Sequence, residues 1–151
     1  MTTMTVLSSG VSRDRWFYTG MMLAMAVTAF VGFAPSFYLR KAGYEGPPLT
    51  TFILLHAGLL TVWMLGGVLQ TSLIAAPNIE LHRTFGWLLA ALAVGIVVTG
   101  PQLGIATIKR GAIPPGLTAE QFFVLPMAGA VMFAIFVGLA VLKRKDAQAH
   151  K

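Results

Sequence analysis

Three side chains that could hold a ligand recur at one spacing in the second apolar stretch of the sequence. His56, Trp63 and Gln70 lie seven residues apart, so in a helix they share one face. Polar groups are costly inside a membrane and normally face the protein interior or a cofactor, which makes this face the first site hypothesis. The alternative is that the three side chains only pack against and cross-link neighbouring helices.

Haem is one cofactor that such a histidine could bind. A b-type haem takes two axial ligands at similar depth, usually two histidines or a histidine and a methionine. His56 lies near one end of its apolar stretch and His82 at the opposite membrane border, so most of about 30 Å of hydrocarbon separates them. We therefore expect that both could ligate iron, but never the same haem. Depth instead pairs His56 with Met127.

His82 is followed by Arg83 and, one turn later, by Gly86, which leaves room for a planar ligand beside the imidazole. Depth pairs this histidine with His150 or with a methionine among residues 21–25. The alternative is that His82 is an interfacial residue in contact with water.

The elements that position these residues follow from composition. The chain is 56% hydrophobic and 11% charged, far from soluble averages of roughly 45–50% and about 25%. Charged residues are absent from four stretches, each longer than the roughly 20 residues needed to cross hydrocarbon: residues 16–39, 46–79, 84–108 and 121–142.

Because lipid offers the backbone no hydrogen-bond partners, each stretch is predicted to be a helix. The predicted fold class is all-α: an integral membrane four-helix bundle with up-down topology and both termini inside. A cytoplasmic segment (1–15) precedes the four-helix domain (16–142), whose helices span about 16–39, 50–76, 81–108 and 119–142, and a basic cytoplasmic tail (143–151) follows. Thr50 and Asn78 are predicted helix caps, and Thr118 with Gln121 predicts a capping box.

Basic residues predict the orientation. The larger group falls on one side of the membrane and the smaller on the other, and cytoplasmic loops carry the excess of Lys and Arg. The larger group comprises Arg13, Arg15, Arg83, Lys143, Arg144, Lys145 and Lys151, and the smaller comprises Arg40, Lys41, Lys109 and Arg110. The chain is thus expected to be a multi-pass protein of a bacterial inner membrane. The net charge of +6 serves topology, so no nucleic-acid partner is expected.

Small residues recur at a spacing of four in three of the spans. They either pack the helices of one bundle closely or dock the chain onto a larger membrane complex or a second copy. These small-residue seams are Gly20, Ala24, Thr28 and Gly32; Ala91, Gly95 and Thr99; and Ala130, Ala134 and Gly138.

Several chemistries are excluded by what the sequence lacks. It has no cysteine, which removes disulfides, thiolate metal sites, iron–sulfur clusters and covalent haem attachment. The uncharged stretches contain no Asp, Glu, Lys or Arg for hydrolysis and thus no carboxylate for ion-coupled transport, so an enzymatic activity is not expected. A carrier of a neutral lipid or small molecule stays open.

The stretch from Leu55 to Gly86, with Leu-His-Ala-Gly-Leu-Leu-Thr-Val-Trp at its start, Leu69-Gln70-Thr71 and Leu81-His82-Arg83, resembles uncharacterised bacterial polytopic membrane proteins of the 2306-like domain-of-unknown-function family. The resemblance implies candidate status for His56, Gln70 and His82; association with haem or quinone is compatible with such proteins but is not part of the motif. Such proteins continue into further spans after a His-Lys or His-Arg pair, so the resemblance also implies that this chain is truncated at His150 and Lys151.

Together, these patterns predict an inner-membrane protein that binds a hydrophobic redox cofactor, haem b or quinone, in an electron-transfer context. Two alternatives remain: a non-catalytic accessory subunit that docks onto a larger membrane complex, and the neutral carrier.

The predicted orientation can be tested directly because the native chain contains no cysteine. In intact cells, a membrane-impermeant thiol reagent should label Arg110→Cys and leave Arg83→Cys unlabelled until the membrane is opened, since the excess of basic residues marks the Arg83 side as cytoplasmic. Labelling of Arg83→Cys alone in intact cells would show that the orientation is the opposite of the predicted one.

Overall fold

The structure is a computed structural model that describes residues 2–40, 48–146 and 148–150, with side chains from residue 15 onward. Within these residues all regular structure is helical: α1 (Thr2–Phe33), a π-helical segment (Ala34–Tyr38), α2 (Thr51–Ala75), α3 (Ile79–Lys109) and α4 (Ala119–Leu142). The predicted all-α fold is confirmed. Lys41 and Lys151, two of the basic residues used for the orientation, lie outside the described residues.

Within the described residues, four helical segments are long and apolar enough to cross a membrane, and each end lies within two residues of the predicted span. They are Arg15–Tyr38, Thr51–Ala75, Ile79–Lys109 and Ala119–Leu142. Large apolar side chains on these helices are exposed, among them Val31, Val94 and Leu142. Exposing so much apolar surface to water would be unfavourable, whereas lipid tails are as apolar as the side chains themselves. The chain is a multi-pass membrane protein.

The three predicted helix starts are confirmed by their hydrogen bonds. Ile53 N–H donates to Thr50 Oγ1 at 3.3 Å, and Leu81 N–H donates to Asn78 Oδ1 at 3.2 Å. At α4 the capping box is complete, because Gln121 N–H donates to Thr118 Oγ1 while the Gln121 side chain accepts from Thr118 N–H at 2.9 Å. Each cap satisfies a backbone donor that has no partner in the first helical turn.

The first span differs from a simple α-helix at both ends. The predicted segment 1–15 is helical from Thr2 onward and runs without a break into the span. At the other end the backbone widens into the π-helical segment Ala34–Tyr38, where Leu39 N–H donates to the Ala34 carbonyl at 2.7 Å. Pro35, which lacks an N–H, lies inside this widened turn. The Tyr38 ring packs against Phe30 with centroids 4.9 Å apart.

The chain forms two compact units. The first unit contains the described residues of Met1–Gly46 and Val62–Trp87, and the second those of Pro47–Thr61 and Leu88–Lys151. In the first unit α1 packs closely on α2, because a Cβ placed on Gly67 would lie only 2.5 Å from Cε of Met22.

In the second unit, two pairs of neighbouring helices run antiparallel. Thr99 of α3 lies beside His56 of α2, and Gly95, one turn earlier in α3, lies beside Leu59, which is later in α2. Between α3 and α4, Gly100 lies beside Ala130 and Gly104 beside Pro126. The predicted alternation of helix direction and bundle packing are confirmed for these helices. The orientation across the membrane stays a prediction.

Gly104 is the packing position at which a methyl group should be most damaging. Its Cβ would lie 2.7 Å from Cγ of Pro126, a ring that cannot rotate away, so we expect Gly104→Ala to lower stability by about 1–3 kcal/mol. The measurement is the thermal midpoint of the purified protein in detergent.

Two matched glycine substitutions serve as controls. Gly100→Ala places its methyl at an ordinary 3.6 Å from His56 Cε1, and the clash at Gly67→Ala involves only the flexible end of Met22. Both should cost less than Gly104→Ala. A Gly104→Ala midpoint at or above that of Gly100→Ala would contradict the close α3–α4 contact.

Candidate functional site

The site is centred on a hydrogen bond between two helices of the second unit. Nδ1 of His56, on α2, lies 2.7 Å from the hydroxyl oxygen of Thr99, on α3. The same hydroxyl lies 2.7 Å from the Gly95 carbonyl, one turn earlier in its own helix. The bond therefore fixes the imidazole against α3 and is part of a short chain from ring to hydroxyl to backbone.

Missing side chains bring α3 close to the imidazole. Gly100 follows Thr99, and a Cβ placed there would lie 3.6 Å from Cε1 of His56. Gly104, one turn further, is buried and faces the Pro126 ring of α4. Both glycines line a space between α3 and α4 at the level of the histidine.

That space is a partly open cavity of about 360 Å³, a volume in the range of small-molecule sites. Its lining is apolar apart from the His56 ring and the Thr107 hydroxyl. The residues that line it are His56, Leu60, Ile96, Gly100, Leu103, Gly104, Thr107, Phe122, Pro126, Gly129, Ala130 and Phe133. All of them belong to the second unit. Such a cavity suits a mainly hydrophobic molecule that has few polar groups.

The other polar member of the lining, Thr107, is engaged with its own helix. Its hydroxyl donates to the Leu103 carbonyl at 2.8 Å. Since a hydroxyl has one proton and two lone pairs, Thr107 can still accept a hydrogen bond from a bound molecule.

Gln70 occupies a different environment, in the first unit. A Cβ placed on Gly86 of α3 would lie 3.8 Å from Gln70 Nε2, so the glutamine packs against α3 at the glycine singled out by the sequence. Both polar atoms of the Gln70 amide are buried and find no hydrogen-bond partner among the described residues. Leaving a buried polar atom unsatisfied costs about 1–3 kcal/mol.

Two further predicted site residues, Trp63 and His82, are half-buried in the first unit. His82 lies in the first turn of α3, where its backbone N–H donates to the Asn78 carbonyl at 3.1 Å. Neither residue lines the His56 cavity. Their roles in cofactor binding stay predictions.

The sequence pairs three further positions with His56 or His82 as possible second ligands of a haem. Met127, on α4, is 38% exposed and is not among the cavity-lining residues, although its neighbour Pro126 is. His150 Nδ1–H donates to the Ala140 carbonyl at 2.7 Å. Within residues 21–25, Met22 is the methionine against Gly67. The described part of the chain contains no group of three His, Asp or Glu side chains arranged for a metal ion. The haem pairings stay predictions.

Thr99 is the site residue that sequence reasoning missed. The sequence marked it only as a small residue of a packing seam, because Thr99 and His56 are 43 residues apart. The antiparallel register of α2 and α3 brings them together, and a turn of two or three residues around Asn78 could have indicated that register.

Comparison of the chain with models of known protein families, with curated proteins and with solved structures finds no match. The resemblance to the 2306-like family therefore stays a prediction.

The unsatisfied Gln70 amide generates a prediction with a definite sign. Gln70→Met keeps the length of the side chain and removes both buried polar atoms, so we expect it to stabilise the cofactor-free protein by about 1–3 kcal/mol. A thermal midpoint in detergent measures the change.

The control is Leu69→Met, the same new side chain at an exposed neighbouring position, which should leave the midpoint nearly unchanged. If Gln70→Met lowers the midpoint, the amide has a partner in the native protein and the expectation is wrong.

Proposed function

We propose that this multi-pass protein binds a hydrophobic redox cofactor, a quinone or haem b, in the cavity beside His56, and that it does so in an electron-transfer context. The observation that carries the proposal is an apolar cavity with one imidazole held in place by Thr99. We place it in a bacterial inner membrane, with the side of Arg83 cytoplasmic because that side has the excess of basic residues.

A quinone, or its reduced quinol form, fits the cavity by its size and its mainly apolar character. Its ring is flat and mainly apolar, and its oxygens need few hydrogen-bonding groups. The lining offers His56 and Thr107 as polar groups, while Leu60, Phe122 and Phe133 supply apolar contacts. Ligand sites commonly combine such an apolar lining with a small number of placed polar groups.

Haem b fits less completely. His56 can supply one axial nitrogen, with Thr99 as the hydrogen-bonding partner that orients the ring. No second histidine and no methionine lines the cavity in the described residues, whereas a b-type haem usually takes two such ligands. We therefore rank the quinone above haem b.

The proposal is tested on protein purified in mild detergent from its membrane. We expect solvent extraction to yield bound quinone, or a reduced-minus-oxidised spectrum to reveal haem. His56→Ala should lower the cofactor content about ten-fold or more, because the cavity loses its main hydrogen-bonding or ligating group.

His150→Ala is the matched control, since it removes a histidine outside the cavity lining. It should retain the cofactor. A colourless, quinone-free wild-type preparation would count against the proposal, and equal cofactor in wild type and His56→Ala would move the site elsewhere.

A second candidate function, an accessory subunit that docks onto a larger membrane complex, is favoured by one observation. The α1 seam of Gly20, Ala24, Thr28 and Gly32 is exposed along its whole length. By contrast, Gly95 and Ala130, from the other two seams, pack internally. Native mass spectrometry of the same preparation separates the two functions: a stable partner lost in Gly32→Leu supports docking, and a monomer argues against it.

A further inference from the structure

We infer that the cavity beside His56 selects the reduced, hydroxyl-bearing form of its ligand, a quinol, over the corresponding quinone. The inference rests on the proposed function and adds to it the chemical form that binds. It follows from where the protons of Thr99, His56 and Thr107 must lie.

The Thr99 hydroxyl has one proton, and its oxygen lies 2.7 Å from both the Gly95 carbonyl and His56 Nδ1. A carbonyl oxygen can only accept, and two oxygens at 2.7 Å repel each other unless a proton lies between them. The Thr99 proton therefore points to Gly95. As a result, the bond to the histidine must be donated by Nδ1–H.

A neutral imidazole has one N–H. With that proton on Nδ1, Nε2 of His56 carries a lone pair, and the bond between Nδ1 and Thr99 is the one hydrogen bond of the ring within the described residues. No carboxylate lies among the described lining residues to compensate a charged ring, so burial favours the neutral form. His56 therefore presents an acceptor to a bound molecule.

Thr107 presents an acceptor for the same reason. Its proton is used in the bond to the Leu103 carbonyl at 2.8 Å, which leaves the oxygen lone pairs able to accept from a ligand. Both polar side chains of the lining are thus acceptors. The backbone N–H groups of the surrounding helices are used within those helices.

Only a ligand with donors complements such a cavity. A quinol has two hydroxyl groups and can donate to His56 Nε2 and to Thr107 Oγ1. The oxygens of a quinone carry lone pairs alone, so they would meet lone pairs at both positions. We expect the quinol to bind about ten-fold tighter or more, the factor that one net hydrogen bond supplies.

The test measures binding of a short-chain benzoquinol and of its benzoquinone with identical substituents. Cofactor-stripped, full-length protein in lipid nanodiscs is titrated without oxygen, and empty nanodiscs correct for partition into lipid. The expected result is a ratio of dissociation constants that favours the quinol about ten-fold or more.

Thr99→Val tests the proton assignment. It removes the acceptor of Nδ1–H, so the ring proton can move to Nε2, which would then donate to a quinone; the ratio should fall toward one or reverse. Thr99→Ser should restore the preference. Thr28→Val, the same substitution at an exposed position whose hydroxyl bonds only its own helix, should leave the ratio unchanged.

The outcomes separate this inference from the proposed function. Equal or tighter binding of the quinone by the wild type overturns the inference and leaves the proposed function standing, as does haem in the cavity that quinol cannot displace. If neither the quinol nor the quinone binds and no haem is present, both the inference and the proposed function fail.

Discussion

Hydrogen bonding without water is the constraint on which the rest of this structure depends. Hydroxyl side chains on the spans satisfy it within their own helix: those of Thr28, Thr61, Ser72, Thr99 and Thr107 donate to the carbonyl four residues earlier. Such a bond satisfies the hydroxyl proton in lipid without a partner on another helix. At Thr99 and Thr107 it has a chemical effect, because a hydroxyl that has given its proton to the backbone can only accept from anything else.

The same close packing of α3 serves both the fold and the cavity. Gly95, Gly100 and Gly104 allow Leu59, the His56 ring and Pro126 to approach the helix backbone. Without a hydrophobic force between helices in lipid, such contacts are a main source of association. The close contacts at Gly95 and Gly104 therefore hold the helices together, and Gly100 and Gly104 also line the cavity.

Local features of the sequence were sufficient for the helices, and their ends were predicted closely. Span limits follow from the length of uncharged runs, and the starts of α2, α3 and α4 follow from Thr50, Asn78 and Thr118, whose cap bonds involve residues only three positions apart. His56 was identified as a polar residue at membrane depth. Thr99 was not identified as the partner of that histidine. The contact between them depends on the register of two helices, and the length of an uncharged stretch gives no information about that register.

Depth in the membrane gives the level of a residue but not the direction of its side chain. It paired His56 with Met127, yet the cavity lining takes Pro126, Gly129 and Ala130 from the same helix and leaves Met127 out. A helix presents each residue about 100° from its neighbour, so correct depth leaves the direction of a side chain undetermined.

The widened turn at the end of the first span resets the angular phase of that helix. In a regular α-helix, side chains eight positions apart point about 80° away from each other. Here the Tyr38 ring nevertheless packs against the Phe30 ring, because the π-helical segment accommodates one additional residue within nearly the same rotation. The tyrosine thus stays on the aromatic face that Phe30 defines, and its hydroxyl-bearing ring lies at the border of the span, where an amphipathic ring is at its most favourable depth.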